Sequence, residues 1–225
     1  MISCSRFSKR TGAWWCVVGL LLGGALRAAD TAATVVWKLD ELNKVGGHAT
    51  EVVGAPRLAE GAAVFDGAKD GVFVPAIPLA GAAQFTIEIL FSPAEGGPDA
   101  QRFFHLQDAS DWRVMIETRL DGKGGWWLDT YLGSPTGGKA LIDPKRVHPT
   151  NAWYWAAVRY DGKTMTSFLN GAQELEAKDV KFGPLGAGKI SLGVRQNKVF
   201  WFKGAIREVR FTPAALTPEK LQQVK

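Results

Sequence analysis

Residues 153–171, WYWAAVRYDGKTMTSFLNG, contain the pattern that decides the fold. Aromatic and β-branched residues, which suit a pleated and half-buried surface, dominate the first half of this stretch. The dipeptides Asp161-Gly162 and Asn170-Gly171 supply the positive φ angles that tight hairpin turns need. The stretch therefore predicts consecutive antiparallel strands joined at these two dipeptides.

The rest of the chain continues this pattern of short strands and turns. In residues 85–91 every second residue is large and apolar, which is typical of a strand with one buried face. Other predicted strands, separated by turns rich in Gly, Pro and Asp, are residues 34–40, 62–65, 72–74, 102–106, 113–120, 126–132, 189–194 and 205–211.

Prolines and a capping pattern set the remaining elements. Residues 133–138 are predicted to be a loop, and residues 141–150 a connection, because prolines at 144 and 149 exclude a central strand. Thr217 followed by Pro218 predicts a short C-terminal helix. We therefore expect an all-β chain, a two-sheet antiparallel β-sandwich that ends in this helix.

The N-terminal segment has the features of a secretory signal peptide. Lys9 and Arg10 precede an apolar run at residues 13–26, which is short for a bilayer span, and small residues follow. We predict a signal peptide over residues 1–29 and one domain over residues 30–225. The expected location is secreted, periplasmic or at the cell surface, with no stable membrane span after cleavage; an uncleaved N-terminal anchor is the alternative.

Composition limits the partners and the means of stabilisation. The first 29 residues hold four of the 27 basic residues and no acid, so the rest has 23 basic and 22 acidic residues. This near-neutral balance argues against a nucleic-acid partner. Both cysteines, Cys4 and Cys16, lie in the predicted signal peptide, so the core alone must stabilise the domain.

Five stretches resemble, in order, the laminin-G-like, concanavalin A-like lectin/glucanase superfamily of jelly-roll domains found in many secreted bacterial proteins. One is the stretch quoted first. The others are VVWKLDE at 35–41, AAVFDGAKDGVFVP at 62–75, FTIEILFSP at 85–93 and KGAIREVRFTPAALTPEKL at 203–221. The resemblance implies two curved antiparallel sheets, with the last strand near the first. It also implies a binding module, with a glycan as the preferred partner.

The resemblance raises the question of a structural calcium ion. Related sandwiches often hold calcium near the chain ends through carboxylates and backbone carbonyl groups, and calcium needs several oxygen ligands. The weak metal candidates here are Asp66, Asp70 and Glu208, but Arg207 stands where the family usually has an acid. A structural calcium is therefore doubtful, and no other cofactor is expected.

Catalytic motifs are weak in this sequence. The glucanases of this superfamily use an E-x-D-x-x-E pattern, and the closest match, Glu174, Glu176 and Asp179, has the wrong third acid. The histidines show no metal-ligand spacing, and no serine lies in a GxSxG motif. The sequence favours a non-catalytic module, and leaves a glycoside hydrolase or polysaccharide lyase as the lesser alternative.

Aromatic and polar side chains on strand faces form the candidate carbohydrate-binding set. Alternation puts Trp127, Asp129 and Tyr131 on one face, and Trp155 and Arg159 on one face of another strand. Arg113, Glu117 and Arg119, on a neighbouring strand, suit the same surface. Rings stack on sugars when exposed, yet at least half of the candidate rings (Trp112, Trp126, Trp127, Tyr131, Tyr154, Trp155 and Trp201) are expected in the core. The alternative partner is a cell-envelope protein, bound by an interaction or structural module.

Overall fold

The computed structural model describes Met1 and residues 33–224. The predicted signal peptide lies outside the described residues except for Met1. Residues 33–224 belong to one compact unit. Within the described residues, no helix has the length and apolar character to cross a membrane.

The described secondary structure consists of strands and one 3-10 turn (Pro218–Lys220). The strands are β1 (Val35–Lys38), β2 (Lys44–Val45), β3 (His48–Ala49), β4 (Glu51–Val53), β5 (Arg57–Ala59), β6 (Ala62–Asp66), β7 (Gly71–Val74), β8 (Phe85–Pro93), β9 (Ala100–Asp108), β10 (Arg113–Leu120), β11 (Gly125–Ser134), β12 (Gly137–Ile142), β13 (His148–Pro149), β14 (Tyr154–Tyr160), β15 (Met165–Leu169), β16 (Ala172–Ala177), β17 (Gly188–Leu192) and β18 (Lys203–Thr212).

Two antiparallel sheets make up the sandwich. Sheet 1 has the order β16-β15-β14-β8-β18-β6-β5, with β1 also paired to β18. Sheet 2 has the order β12-β11-β10-β9-β17-β7-β4, with β13 also paired to β11. The predicted all-β sandwich is confirmed. The pairing of β1 with β18, which places Val35 opposite Phe211, also agrees with the resemblance.

An aromatic cluster centred on Phe91 joins the two sheets. The Phe91 ring of sheet 1 stacks on Phe103 of sheet 2, with ring centroids 4.1 Å apart and planes 12° apart. Trp126 of sheet 2 and Tyr154 of sheet 1 approach the same ring, at 5.3 Å and 6.3 Å. Phe91 and Phe103 are fully buried, and burial of such large rings is the main favourable contribution to folding.

The hairpins after β14 and β15 use two different turns. A four-residue loop joins β14 to β15, in which Asp161 Oδ1 accepts hydrogen bonds from the backbone N–H groups of Lys163 and Thr164. The predicted two-residue turn at the first dipeptide is therefore wrong, because the aspartate side chain closes a wider loop. Asn170 and Gly171, with φ of 48° and 76°, form the predicted two-residue turn into β16.

The predicted loop at residues 133–138 ends in an additional strand. β12 pairs with β11 along the edge of sheet 2 and is exposed over most of its length. Its sequence, GGKALI, shows no alternation because an exposed edge strand buries neither face well. Pro149 lies in the two-residue strand β13 at an edge position, which agrees with its missing N–H group.

The predicted C-terminal helix is reduced to a single 3-10 turn. Thr217 makes no side-chain capping hydrogen bond, and the backbone becomes extended at Leu221. The side chain of Leu221 packs with Ala157 and Phe168 on the outer surface of sheet 1. The next residue donates its backbone N–H to Glu88 Oε1 over 2.7 Å. These contacts with sheet 1 replace the hydrogen bonds that would continue a helix.

The Phe91→Ala variant tests the cluster that joins the sheets. Removal of a buried ring leaves a cavity and should lower the free energy of unfolding by about 3–5 kcal/mol in denaturant titrations. The exposed Val147→Ala variant should change it by less than about 0.5 kcal/mol. A loss below about 1 kcal/mol for Phe91→Ala would contradict a central role for this ring.

Candidate functional site

Side chains on β9, β10 and β11 that point away from the core form a polar and aromatic surface. Strand pairing sets Met115 opposite both Tyr131 and His105, and Glu117 opposite both Asp129 and Arg102. The residues next to them on β10, such as Ile116, belong to the core. We call this surface the sheet 2 face; it comprises Arg102, His105, Arg113, Met115, Glu117, Arg119, Trp127, Asp129 and Tyr131.

The predicted carbohydrate-binding residues lie on two different sheets. Trp127, Asp129, Tyr131, Arg113 and Glu117 all lie on the sheet 2 face. The other two predicted residues belong to β14 of sheet 1. The structure therefore brings five of the predicted residues together and separates two from them.

Trp155 and Arg159 point to the outside of sheet 1. Tyr154, which precedes Trp155, packs in the core, so alternation directs Trp155 outward. Only 8% of Trp155 is exposed, and the guanidinium of Arg210 lies 5.9 Å from its ring centroid. Arg159 lies 3.7 Å from Asp161. With so little exposed surface, Trp155 contributes to the packing of sheet 1 rather than to an open platform.

Trp127 and Tyr131 are the half-buried aromatic residues of the sheet 2 face. Gly133 on β11 and Gly138 on β12 leave room beside the Tyr131 ring. A Cβ atom at either glycine would collide with the ring or with its hydroxyl group. The ring therefore lies across the sheet surface, above the two glycines.

Two arginines hold two carboxylates in the centre of the sheet 2 face. Arg119 donates to Asp129 Oδ2 through Nε (3.0 Å) and Nη2 (2.6 Å), and its Nη2 also donates to Glu117 Oε2 (3.1 Å). Arg102 Nε lies 3.0 Å from the same Glu117 oxygen as an ion pair, although its N–H is not aligned as a hydrogen bond. Glu117 is 2% exposed and Asp129 4%. We call these four residues the charged ladder.

Burial raises the pKa of Glu117 to about 7, and the nearby Asp129 adds to this effect, against the opposing guanidinium groups of Arg102 and Arg119. Burial also raises the pKa of the Asp129 carboxyl above its ordinary value. A carboxyl with a raised pKa beside a second carboxyl is what a glycosidase uses. Here, however, both carboxyls are buried and paired with arginines, so the arrangement fixes the positions of the guanidinium groups.

His105 is a buried neutral imidazole on the same face. Its Nδ1 accepts a hydrogen bond from the backbone N–H of Gln196 over 3.1 Å, which assigns the ring proton to Nε2. Burial, assisted by the positive charges of Arg195, Arg113 and Arg102, lowers the pKa of His105 to about 3. The imidazole therefore stays uncharged at neutral pH.

Sequence patterns did not reveal Arg102, His105 and Arg195 as parts of the site. β9 contains a bulge, since Ile116 pairs with Phe104 while the next residue, Glu117, pairs with Arg102. The extra residue sends two consecutive phenylalanines into the core and keeps Arg102 and His105 on the outside. The consecutive phenylalanines break the alternation, and this is the signal in the sequence that could have indicated the bulge.

The weak metal candidates serve turns and an ion pair. Asp66 Oδ1 accepts backbone N–H groups of its own turn, and Asp70 Oδ1 accepts the N–H of Ala55 at 2.8 Å. Glu208 accepts a hydrogen bond from Arg210 Nε at 2.8 Å. Across Met1 and residues 33–224, no group of three or more His, Cys, Asp or Glu side chains could hold a metal ion.

A separate groove opens at one end of the sandwich. It has a volume of ≈ 470 Å³, and Trp112, Tyr160, Lys163 and Phe182 are among its lining residues. The Trp112 and Phe182 rings pack edge to face at 5.2 Å. This groove lies outside the sheet 2 face, and none of the predicted carbohydrate-binding or metal-binding residues lines it.

The two antiparallel sheets define the chain as a jelly-roll β-sandwich. The family model of the concanavalin A-like lectin/glucanases superfamily matches residues 66–222, so the chain belongs to this superfamily. No curated protein sequence matches the chain significantly.

Three solved structures are examples of proteins with a similar fold. Domain 4 of AbnA, a GH43 extracellular arabinanase from Geobacillus stearothermophilus, in complex with arabinotriose, is 21% identical, with a TM-score of 0.65, over 85% of this chain and 97% of that chain. The botulinum neurotoxin serotype D binding domain is 16% identical, with a TM-score of 0.59, over 84% of this chain and 49% of that chain. A native heptameric SAP-like pentraxin from Limulus polyphemus is 14% identical, with a TM-score of 0.55, over 80% of this chain and 81% of that chain. At these identities the likeness shows a shared fold.

Titration of Glu117 tests the electrostatics of the charged ladder. Its pKa of about 7 lies above the ordinary value of 4.5, so the folded state keeps a proton that the unfolded state releases between these values. Stability should therefore fall as pH rises through this window. We expect the carboxyl carbon signal of Glu117 to titrate with a midpoint near pH 7 in NMR spectra.

The Glu117→Gln variant should lack this midpoint and the associated loss of stability, whereas the exposed Glu176→Gln variant should keep both. A midpoint for Glu117 at or below the ordinary value of 4.5 would mean that the arginines outweigh the effect of burial.

Proposed function

We propose that the chain is a non-catalytic carbohydrate-binding module whose ligand lies on the sheet 2 face. The observation that carries this proposal is the pair of half-buried rings, Trp127 and Tyr131, beside the charged ladder on one open sheet surface. Sugars bind where a ring offers an apolar face and fixed polar groups accept or donate hydrogen bonds next to it.

The spacing of the two rings suits an oligosaccharide. Trp127 and Tyr131 lie on the same face of β11, four residues apart. A strand rises about 3.3 Å per residue, so their backbone positions are about 13 Å apart. This distance exceeds the width of one sugar ring, and the proposed ligand is a chain of sugars that contacts both rings.

The charged ladder supplies polar groups in fixed positions between the rings. Arg119 pairs across the strands with Trp127, and its side chain is 27% exposed while it holds Asp129 and Glu117. A guanidinium that is already held by carboxylates loses little conformational entropy when it binds a ligand. Under this proposal Glu117 and Asp129 are positioning residues and cleave no bond.

Membership of the superfamily and the fold neighbours support this proposal. The superfamily includes lectins by name, and the arabinanase domain was solved with arabinotriose. The same neighbours, together with the predicted signal peptide, support a module that acts outside the cytoplasm. At 21% identity the ligand of that domain is a probe to be tested here, not a known ligand of this chain.

A glycan array with the purified chain tests the proposal, with arabinotriose among the probes. We expect at least one oligosaccharide to bind. Trp127→Ala and Tyr131→Ala should each weaken its binding about tenfold in calorimetric titrations, because each removes a stacking surface.

Trp153→Ala is the matched control, since Trp153 is another half-buried tryptophan and lies under the Arg207 guanidinium of sheet 1, at 4.3 Å. The affinity of the Trp153→Ala variant for the oligosaccharide should equal that of the unchanged chain. If no glycan binds, the proposal fails and a protein-binding or structural module takes its place. If binding is lost only in Trp153→Ala, the ligand lies elsewhere.

A further inference from the structure

We infer that the sheet 2 face recognises the carboxylate of an acidic sugar, such as a uronic acid residue, through Arg113, Arg195 and His105. The inference rests on the proposed function, because it names the class of glycan that this face takes. Three observations support it: donors without acceptors, an excess of positive charge, and a loop that holds one of the arginines in place.

Buried hydrogen-bond donors cluster on this part of the face without acceptors. His105 is 1% exposed, and its Nε2–H has no acceptor among the described residues. Arg102 Nη1 and Arg113 Nε are likewise buried without an acceptor in the described part of the chain. Buried donors without partners are costly and rare. All three groups donate, so the complementary ligand group is an acceptor, and a carboxylate offers two oxygens with several lone pairs.

On and beside the sheet 2 face, positively charged groups outnumber negatively charged groups. The charged groups on and beside the face include Arg102, Arg113, Arg119, Arg195, Lys189, Asp111, Glu117 and Asp129. Arg113 pairs with Asp111 at 3.0 Å, and the ladder pairs the other two carboxylates with Arg102 and Arg119. Among the described residues, no carboxylate forms an ion pair with Arg195. The surplus guanidinium favours an anionic ligand.

The connection between β17 and β18 holds Arg195 beside His105. Gln196 donates its backbone N–H to His105 Nδ1, and its side-chain Nε2 to the carbonyl oxygen of Lys189 at 2.8 Å. The Phe200 ring lies under the Arg102 guanidinium, 3.7 Å from its central carbon. Phe200 has a φ of 60°, a conformation that bulky residues rarely adopt. Such a backbone persists only when its surroundings enforce it. In the same connection the Arg195 N–H donates to the carbonyl oxygen of Val199 over 3.2 Å, and the Arg195 carbonyl oxygen accepts from the Lys198 N–H over 2.8 Å, so the backbone at Arg195 is fixed before a ligand arrives.

Arg113 links these donors to the stacking surface. A Cβ atom at Gly133 would collide with both the Tyr131 ring and the Arg113 side chain, so these two side chains are neighbours. The Arg113 side chain is 22% exposed and can be reached from outside. A sugar ring stacked on Tyr131 can therefore direct its carboxylate toward Arg113 and, beyond it, Arg195. A neutral sugar at the same position can offer hydroxyl oxygens to these donors, but it carries no negative charge to balance the surplus guanidinium.

Calorimetric titration of the purified full chain with trigalacturonic acid and with its methyl ester tests the inference. Both probes have the same rings, and only the acid is charged. The acid should bind at least about tenfold more tightly in low salt, with the difference shrinking as salt is added. Arg195→Gln and Arg113→Gln should each weaken the affinity for the acid about tenfold. The affinity of each variant for the ester should change by less than about twofold. Arg159→Gln, on sheet 1, should change neither.

The outcomes separate the inference from the proposed function. Binding of both probes with equal affinity overturns the inference and leaves the proposed function standing. Binding of neither probe, with no hit on the glycan array, overturns both. If Arg195→Gln and Arg113→Gln bind the acid as tightly as the unchanged chain does, the assigned site is overturned. Binding of poly-glutamate as tightly as the acid overturns the assignment to a sugar.

Discussion

The contact between Phe91 and Phe103 is the constraint on which the rest of the structure depends. Each ring comes from a different sheet, and their stacking at 4.1 Å determines which face of β8 and β9 is buried. Because side chains alternate along a strand, the choice of an inner face also decides the outer face. Strand pairing then carries this choice from β9 to β10 and β11, and so places Glu117, Asp129 and Tyr131 outside the core.

The charged ladder shows how an outer sheet face can be as ordered as a core. Burial of a charged group is costly unless the group is paired and hydrogen-bonded. Here each carboxylate contacts at least one guanidinium, and Arg119 contacts both. The result is a set of arginines whose positions are fixed by buried partners. Such preorganised donors suit recognition of a ligand better than flexible surface lysines, since less side-chain freedom is lost on binding.

The sequence was informative wherever alternation and turns act locally. The strand at 85–91, the β11 face with Trp127 and Tyr131, and the Asn170-Gly171 turn followed from residue order alone. Contacts set by register could not be predicted in this way. Glu117 has no visible partner in the sequence, because the pairing that puts Asp129 opposite it joins separate strands. Trp155 faces outward as alternation permits, yet its burial depends on contacts distant in sequence.

The central claim is that a glycan lies on the sheet 2 face, and indole N–H signals in NMR spectra test it most directly. The spectra would follow titration with the tightest-binding oligosaccharide. The indole of Trp127 belongs to this face, whereas Trp153 and Trp155 lie beside or in sheet 1. If the glycan lies on the sheet 2 face, the Trp127 signal shifts on titration while the Trp153 and Trp155 signals stay in place. Shifts confined to Trp153 and Trp155, with Trp127 unchanged, would contradict this claim.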